Sequence, residues 1–309
     1  MRLLAFLVSL VFLSASGAFP TSKAEAAEYV ARGDMVGELK VYTVQKDETL
    51  WDIARAYDMG INEMKAANPG VNAWKPGPGR AILIPSLHTL PPKREGIVVN
   101  LTELRLYYFT PEGRVMTFPI AAGKDGWKTP TANTKIALKR ENPTWVVPDS
   151  IKAEDPTLPD FIPPGPDNPL GKYALNLGIP GYRFHGTLAP RSIGSRASHG
   201  CMRMYPEDIE TLFHSVPVGT PVSIVSLDYK LGWKGRELFV EVMGGKRKPA
   251  ARSALARAIT RDIGMVAGSE VTVDPTLLAE AVAAGNGVPV AIGKRGFGFG
   301  NTVAVLFDE

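Results

Sequence analysis

One cysteine, Cys201, stands in a chain of 309 residues, so no disulfide can form within the chain. The paired H-x-x-x-H and C-x-x-C spacings that build common metal sites are missing as well. Gly123-Lys124-Asp125-Gly126 lacks the spacing of a phosphate-binding loop, and the glycine-rich run from Gly293 to Gly300 is not followed by a helix. Basic residues are scattered, the net charge is only +4, and no basic stripe interleaves with aromatics, so a nucleic-acid partner is not expected. Beyond the N-terminus no stretch is long and apolar enough for a membrane helix. With 45% hydrophobic and 21% charged residues, the composition is that of an ordinary globular protein with room for two or three small domains.

The N-terminus is where an apolar run does occur. Arg2 precedes Leu3 to Leu13, and small residues follow through Ala24, Glu25, Ala26 and Ala27. That is the pattern of a secretory leader over residues 1–27, cleaved near Ala26, with a retained anchor as the other reading. No early cysteine is present to carry a lipid. Export gives Cys201 its meaning, because exported proteins meet oxidising conditions and use cysteines in pairs. A lone thiol is then either a small buried hydrophobe or a reactive group. The polar neighbours in Ser198-His199-Gly200-Cys201-Met202-Arg203 favour the reactive group, since flanking cations favour thiolate over thiol.

After the leader, residues 40–85 read as a small α+β unit. Val41 to Val44 form a β-branched and aromatic strand, and Asp47 or Thr49 caps a helix with Leu50, Ile53, Ala54 and Tyr57 on one face. A second helix covers Ile61 to Ala67, ended by Asn68-Pro69-Gly70, and Ala81 to Pro85 closes the unit as a strand. YTVQKDETLWDIARAYDM, ANPGVN and GRAILIP together resemble the LysM module. That resemblance implies binding of the glycan strands of peptidoglycan, between the first strand and helix and around the Asn68 loop. Residues 86–95 read as a proline-stiffened linker that holds the module at a distance, with His88 exposed and without a role.

From Gly96 the pattern is strand after strand: Ile97 to Leu101, Leu104 to Phe109, and Val115 to Ile120 after a turn at Pro111-Glu112-Gly113. Such a meander is expected to close into a sandwich or barrel. Asn142 to Gly171 is too rich in proline for regular structure, and a loop of that length is expected to flank or cover a site. Strands resume at Tyr173 to Leu177 and Tyr182 to His185, a helix covers Pro206 to His214, and Thr220 to Val225 is the last core strand. Residues 227–309 form an extension. It has a strand at Leu238 to Val242, a helix from Pro249 ended by Gly264, and a short helix from Asp274-Pro275 to Gly285.

Cys201 as a nucleophile needs a base, and His185 and His199 are its only near histidines. His185 is preferred, delivered from an adjacent strand, with the Gly186 carbonyl orienting its second nitrogen. The Gly200 and Cys201 amides are expected to bind an oxyanion, and Arg203 a substrate carboxylate. The other reading joins His185, His199 and Cys201 as zinc ligands with one open position.

His185-Gly186-Thr187 followed downstream by His199-Gly200-Cys201-Met202-Arg203 resembles the catalytic signature of the YkuD-type L,D-transpeptidases. Lys128-Thr129-Pro130-Thr131, Asn142 to Trp145 and Pro163 to Gly171 agree with that family, whereas Ala132-Asn133 departs from it at a turn. The resemblance, over 96–226, implies a mainly β catalytic domain of sandwich or barrel type. With it go the α+β LysM module and an α+β C-terminal extension. It implies His185 as proton donor and acceptor, Cys201 as nucleophile, and Arg203, with His199 and Gly200, around the substrate. It further implies a periplasmic enzyme without a cofactor. Cys201 would take the acyl group of a tetrapeptide stem as a thioester, with loss of D-alanine, and pass it to an amine of another stem or of an outer-membrane lipoprotein. Water as acceptor would make it an L,D-carboxypeptidase, and an inert site would leave a wall-binding protein. Carbapenems are expected to acylate it.

Overall fold

The computed structural model describes residues 28–267 and 271–296. The predicted leader and the second half of the late glycine run, residues 297–300, lie outside the described residues.

The central element is a nine-stranded, mostly antiparallel sheet. Gly96–Asn100, Arg105–Phe109 and Arg114–Pro119 form the expected meander, with Glu28–Val30 added at its edge. Pro221–Val225, far along the chain, pairs in parallel with Gly96–Asn100 and carries the sheet into its second half. Ala132–Glu141 joins the halves: its first residues pair with Pro221–Val225, its last with Tyr173–Leu177, and a register shift lies between Ile136 and Leu138. An irregularity at that point bends the strand and lets the sheet curl around one core. Val99, Leu106, Phe118, Ile136, Leu175 and Phe184 fill that core, covered by the helix Pro206–Ser215 through Ile209 and Leu212. Arg105–Phe109 is buried along its whole length, because Leu106 and Tyr108 face the main core while Tyr107 and Phe109 face a second cluster with Val36 and Leu90.

The small N-terminal unit has the expected strand, two helices and strand: Lys40–Thr43, Leu50–Ala56, Ile61–Ala67 and Ala81–Ile84. Thr49, not Asp47, caps the first helix: its Oγ1 accepts from the Asp52 amide while Asp52 accepts from the Thr49 amide. That reciprocal pair satisfies two donors the helix end leaves open.

The segment predicted as a spacer does not hold this unit away. Leu87–Thr89 is a buried strand paired with Met35–Gly37, and the Thr89 amide donates to Glu241 at 2.6 Å. His88 is likewise buried, not exposed, with Tyr107 edge-on at 6.4 Å; burial and the nearby Arg105 and Lys230 hold its imidazole well below the ordinary range. The unit sits directly against the large sheet. Gly60 and Gly194 meet there so closely that a Cβ on Gly194 would lie 2.3 Å from the Gly60 Cα. Only glycine permits that approach, and Gly194 also has φ +81°.

The C-terminal part is an α+β layer. Its four-stranded sheet runs in the order Tyr229–Lys234, Glu237–Val242, Val290–Arg295, Val271–Val273, with Pro249–Ala267 and Pro275–Ala284 packed on it. The longer helix continues through Gly264, where it was expected to end. Burial of Ile259 and Ile263 against the sheet outweighs the roughly 1 kcal/mol that glycine costs inside a helix. Asp274 caps the shorter helix and Gly285 ends it with φ +53°, as expected.

Candidate active site

Two short parallel strands, Arg183–His185 and Met202–Arg203, bring the candidate residues together, His185 ending the first and Cys201 immediately preceding the second. Their register pairs Phe184 with Met202 and His185 with Arg203. Phe184 and Met202 lie in the core, so by alternation Arg183, His185, Cys201 and Arg203 share the opposite face. Cys201 precedes Met202 and therefore stands beside Arg183, while His185 lies on the diagonal from the sulfur. On the far side of Arg183–His185, the antiparallel strand Tyr173–Leu177 places Asn176 opposite Arg183 and Ala174 opposite His185.

The His185 Nδ1 lies 2.7 Å from the Gly186 carbonyl oxygen. A carbonyl only accepts, so geometry assigns the ring hydrogen to Nδ1 and leaves Nε2 basic. Burial first, then the charges of Arg203 and Arg183, lower the imidazole to about 3, partly offset by bonds to the Gly186 and Pro169 backbone. The ring is therefore neutral at ordinary pH.

Burial pushes the Cys201 thiol up, whereas the charge and hydrogen bonds of Arg183 and the charge of Arg203 pull it down. In the resting arrangement the thiol donates to the Gly181 carbonyl at 3.3 Å. The turn before it is tightly held. Ser198 Oγ donates to the Cys201 carbonyl at 2.5 Å and accepts from the Gly200 amide at 3.1 Å. Thr129 Oγ1 donates to the Gly200 carbonyl at 2.7 Å and accepts from the Gly123 amide. Gly200 has φ +106°, and a Cβ there would meet the Tyr182 ring at 3.1 Å. The Gly200 amide, expected to bind an oxyanion, is thus already committed to Ser198.

His199 stands outside this face. Its Nε2 lies 2.9 Å from Glu154 Oε2, its ring meets Trp127 edge-on at 5.0 Å, and Trp127 Nε1 donates to Glu154 Oε1. Glu154 ends the short helix Asp149–Glu154, which with the paired strands Trp145–Val146 and Phe161–Ile162 gives the proline-rich insertion regular structure where none was expected. Hydrogen bonding to His199, together with the Lys124 charge, holds the Glu154 carboxyl below the usual range. The insertion is therefore tied down next to the residue that precedes Gly200-Cys201. On the other side of His185, Gly186 and Thr187 border a cleft of about 530 Å³ reached also by Lys172, Glu207 and Arg55 of the N-terminal unit. Among the described residues no group of three His, Cys, Asp or Glu side chains is placed to hold a metal ion.

Sequence reasoning brought His185, Gly186, Cys201 and Arg203 to this place and overlooked Arg183, Thr129 and Glu154. Arg183 was within reach, because it lies two residues before His185 in a strand and must share its face. Thr129 lies in the family-like stretch Lys128 to Thr131 but its bond to the Gly200 turn was not foreseen, and Glu154 arrives from a distant segment with no local signal.

Comparison with known proteins adds the following. Residues 94–224 match the L,D-transpeptidase catalytic domain family (YkuD), and residues 42–85 match the LysM domain family. The chain is similar to the probable L,D-transpeptidase YbiS of Escherichia coli K12, 36% identical over 88% of this chain and 94% of that protein. It is similar to the probable L,D-transpeptidase YcfS of the same organism, at 43% identity over 64% of this chain and 65% of the relative. Among solved structures, the catalytic domain of an Enterococcus faecium L,D-transpeptidase aligns over 43% of this chain and 99% of its own at 23% identity, with a TM-score of 0.34.

Proposed function

The chain belongs to the YkuD-type L,D-transpeptidase family, and from that premise we propose that Cys201 is the acyl-accepting nucleophile of a peptidoglycan acyltransferase, with His185 as its general base and acid. The observation that carries this reading is that His185 ends one of two adjacent parallel strands and Cys201 immediately precedes the other, with His185 Nδ1 fixed by Gly186. His185 Nε2 takes the thiol proton as the sulfur attacks the carbonyl of the diamino acid in a tetrapeptide stem. The same nitrogen then protonates the departing D-alanine amine, and a thioester remains on Cys201. An amine, from a second stem or from an outer-membrane lipoprotein, attacks that thioester, gives its proton to His185 and frees the sulfur. With Gly200 committed to Ser198, the oxyanion falls to the Cys201 amide. Arg203 carries a positive charge next to both reacting groups and suits the substrate carboxylate. His199 contributes by anchoring the insertion over the site.

Residues 40–85 serve as the glycan-binding LysM module, 86–95 as its connection, 96–226 as the catalytic domain, and 227–309 as an extension that braces it; the leader, residues 1–27, directs the chain to the periplasm. The test is incubation of the purified protein with tetrapeptide muropeptides, with products read by mass. Cross-linked dimers are expected, and Cys201→Ser should yield none. Trimmed monomers in place of dimers would make the site a carboxypeptidase. Undiminished dimer formation by Cys201→Ser would remove the thioester mechanism altogether, and loss of activity with a chelator would restore the zinc reading.

A further inference from the structure

Arg183 is the residue of the reactive face to which the cysteine-histidine scheme gives no task. It precedes Phe184 as Cys201 precedes Met202, and those two are paired, so Arg183 and Cys201 enter the strand pair side by side, with His185 one pair further on. Its Nε is buried and meets no hydrogen-bond partner among the described residues. The same holds for Oδ1 of Asn176, the residue paired with it on the next strand. A donor and an acceptor left open in one row are costly in a folded protein, and such groups persist where a reaction uses them. The row runs Asn176, Arg183, Cys201, from the interior of the sheet to the sulfur.

We infer that Arg183 is a catalytic residue of this enzyme, a guanidinium that stabilises the Cys201 thiolate formed when His185 removes the proton. The inference rests on Cys201 being the nucleophile. In the step concerned the Sγ–H bond breaks, its proton goes to His185 Nε2, and the sulfur keeps the electron pair it then donates to the substrate carbonyl. Arg183 neither gains nor loses a proton. It supplies the positive charge that a neutral imidazole cannot supply before transfer, and it faces a group that becomes anionic only during the reaction. Interactions that strengthen with developing charge lower a barrier. The hydrogen bonds of Arg183 to the sulfur, and its charge, act in this direction against burial. The other charged and titratable groups around the thiol are His185 and Arg203 on the same strands. Beyond the turn stand His199 and, from the insertion and the loop before it, Glu154 and Lys124.

Because Cys201 is the only cysteine, its alkylation by iodoacetamide reports one site and needs no turnover. The full-length mature protein should be alkylated at fixed pH 8 as the parent, Arg183→Met, Arg183→Gln and Arg183→Lys. The two neutral variants are expected to react about tenfold more slowly, equivalent to a thiol titration one pH unit higher, with lysine within about threefold of the parent. Asn176→Asp leaves Arg183 in place but draws its charge to a carboxylate, and should also slow the reaction, which serves if the neutral variants unfold. Alkylation of folded neutral variants, or of Asn176→Asp, at the parent rate or faster overturns the inference. Such a result would leave the role of Cys201 itself to the muropeptide assay.

Discussion

Arg105 and Glu63 form an ion pair at 2.9 Å across the contact between the catalytic sheet and the LysM module. The guanidinium is almost fully buried and also donates to the Asp58 carbonyl at 3.1 Å and to Thr117 Oγ1 at 2.6 Å. The charge of Glu63 raises Arg105 further above its ordinary range against the effect of burial, so this cation is permanent. Glu63→Gln would leave it buried without its counter-charge. Removing one partner of such a pair costs about 3 kcal/mol or more. Urea unfolding should show that loss for Glu63→Gln, whereas Lys40→Gln, at an exposed pair in the same module, should change stability little.

The same contact contains two carboxyls. Asp208, at the start of the helix Pro206–Ser215, and Asp58, just after the helix Leu50–Ala56, are both buried and interact. Burial first, then the charge of Asp58, pushes the Asp208 carboxyl well above the usual carboxylate range. A folded-state value above the unfolded one means that the stabilisation is complete at pH below the ordinary aspartate range. It is lost as pH rises toward the raised value. Thermal stability should therefore decline with increasing pH in the parent. Asp208→Asn should flatten that decline and melt higher than the parent at alkaline pH. An identical pH dependence in both proteins would show that this carboxyl is not the source.

Much of the fold was legible because it rests on local chemistry. Asp47 or Thr49 announces a helix start, with Thr49 the residue that caps it, Asp274-Pro275 announces another, and β-rich runs separated by turn residues mark the meander strands. What escaped was set by contacts between distant segments. The three-residue strands Glu28–Val30 and Met35–Gly37 are too short to show a period, and they exist because the sheet offers them edges. His88 sits among polar residues and prolines and reads as exposed, yet Met35–Gly37 and the C-terminal layer close over its segment. At the site, His185, Gly186, Cys201 and Arg203 were legible from residue chemistry and spacing. The commitment of the Gly200 amide was not, because it depends on how Ser198 turns.

Glu154 links the insertion to the catalytic turn through His199, Trp127 and Lys124. Glu154→Ala should release the segment from Trp145 to Ile162. Hydrogen exchange there should speed up, and KM for a tetrapeptide stem should rise severalfold with kcat less affected. Because His199 holds this carboxyl below its usual range, the tie is intact above the ordinary glutamate value and weakens as pH falls. Faster exchange on acidification in the parent, absent from Glu154→Ala, is the expected signature; unchanged exchange in the variant would leave the insertion held by other contacts.

The neutral state of His185 determines how the enzyme responds to pH. An imidazole lowered to about 3 is ready as a base throughout the range in which a free histidine would titrate. Acylation by a carbapenem, followed by mass, should therefore show no inflection near the ordinary histidine value, and should be slower in heavy water because a proton moves during attack. His185→Gln removes the base and leaves only preformed thiolate to react. In that variant the residual rate should rise about tenfold per pH unit below the thiol titration, while the parent stays nearly flat. A parent profile that bends near pH 6.5 would mean that the imidazole titrates as an ordinary histidine, taking a proton from solvent below that pH, and that burial and the neighbouring arginines do not hold it neutral.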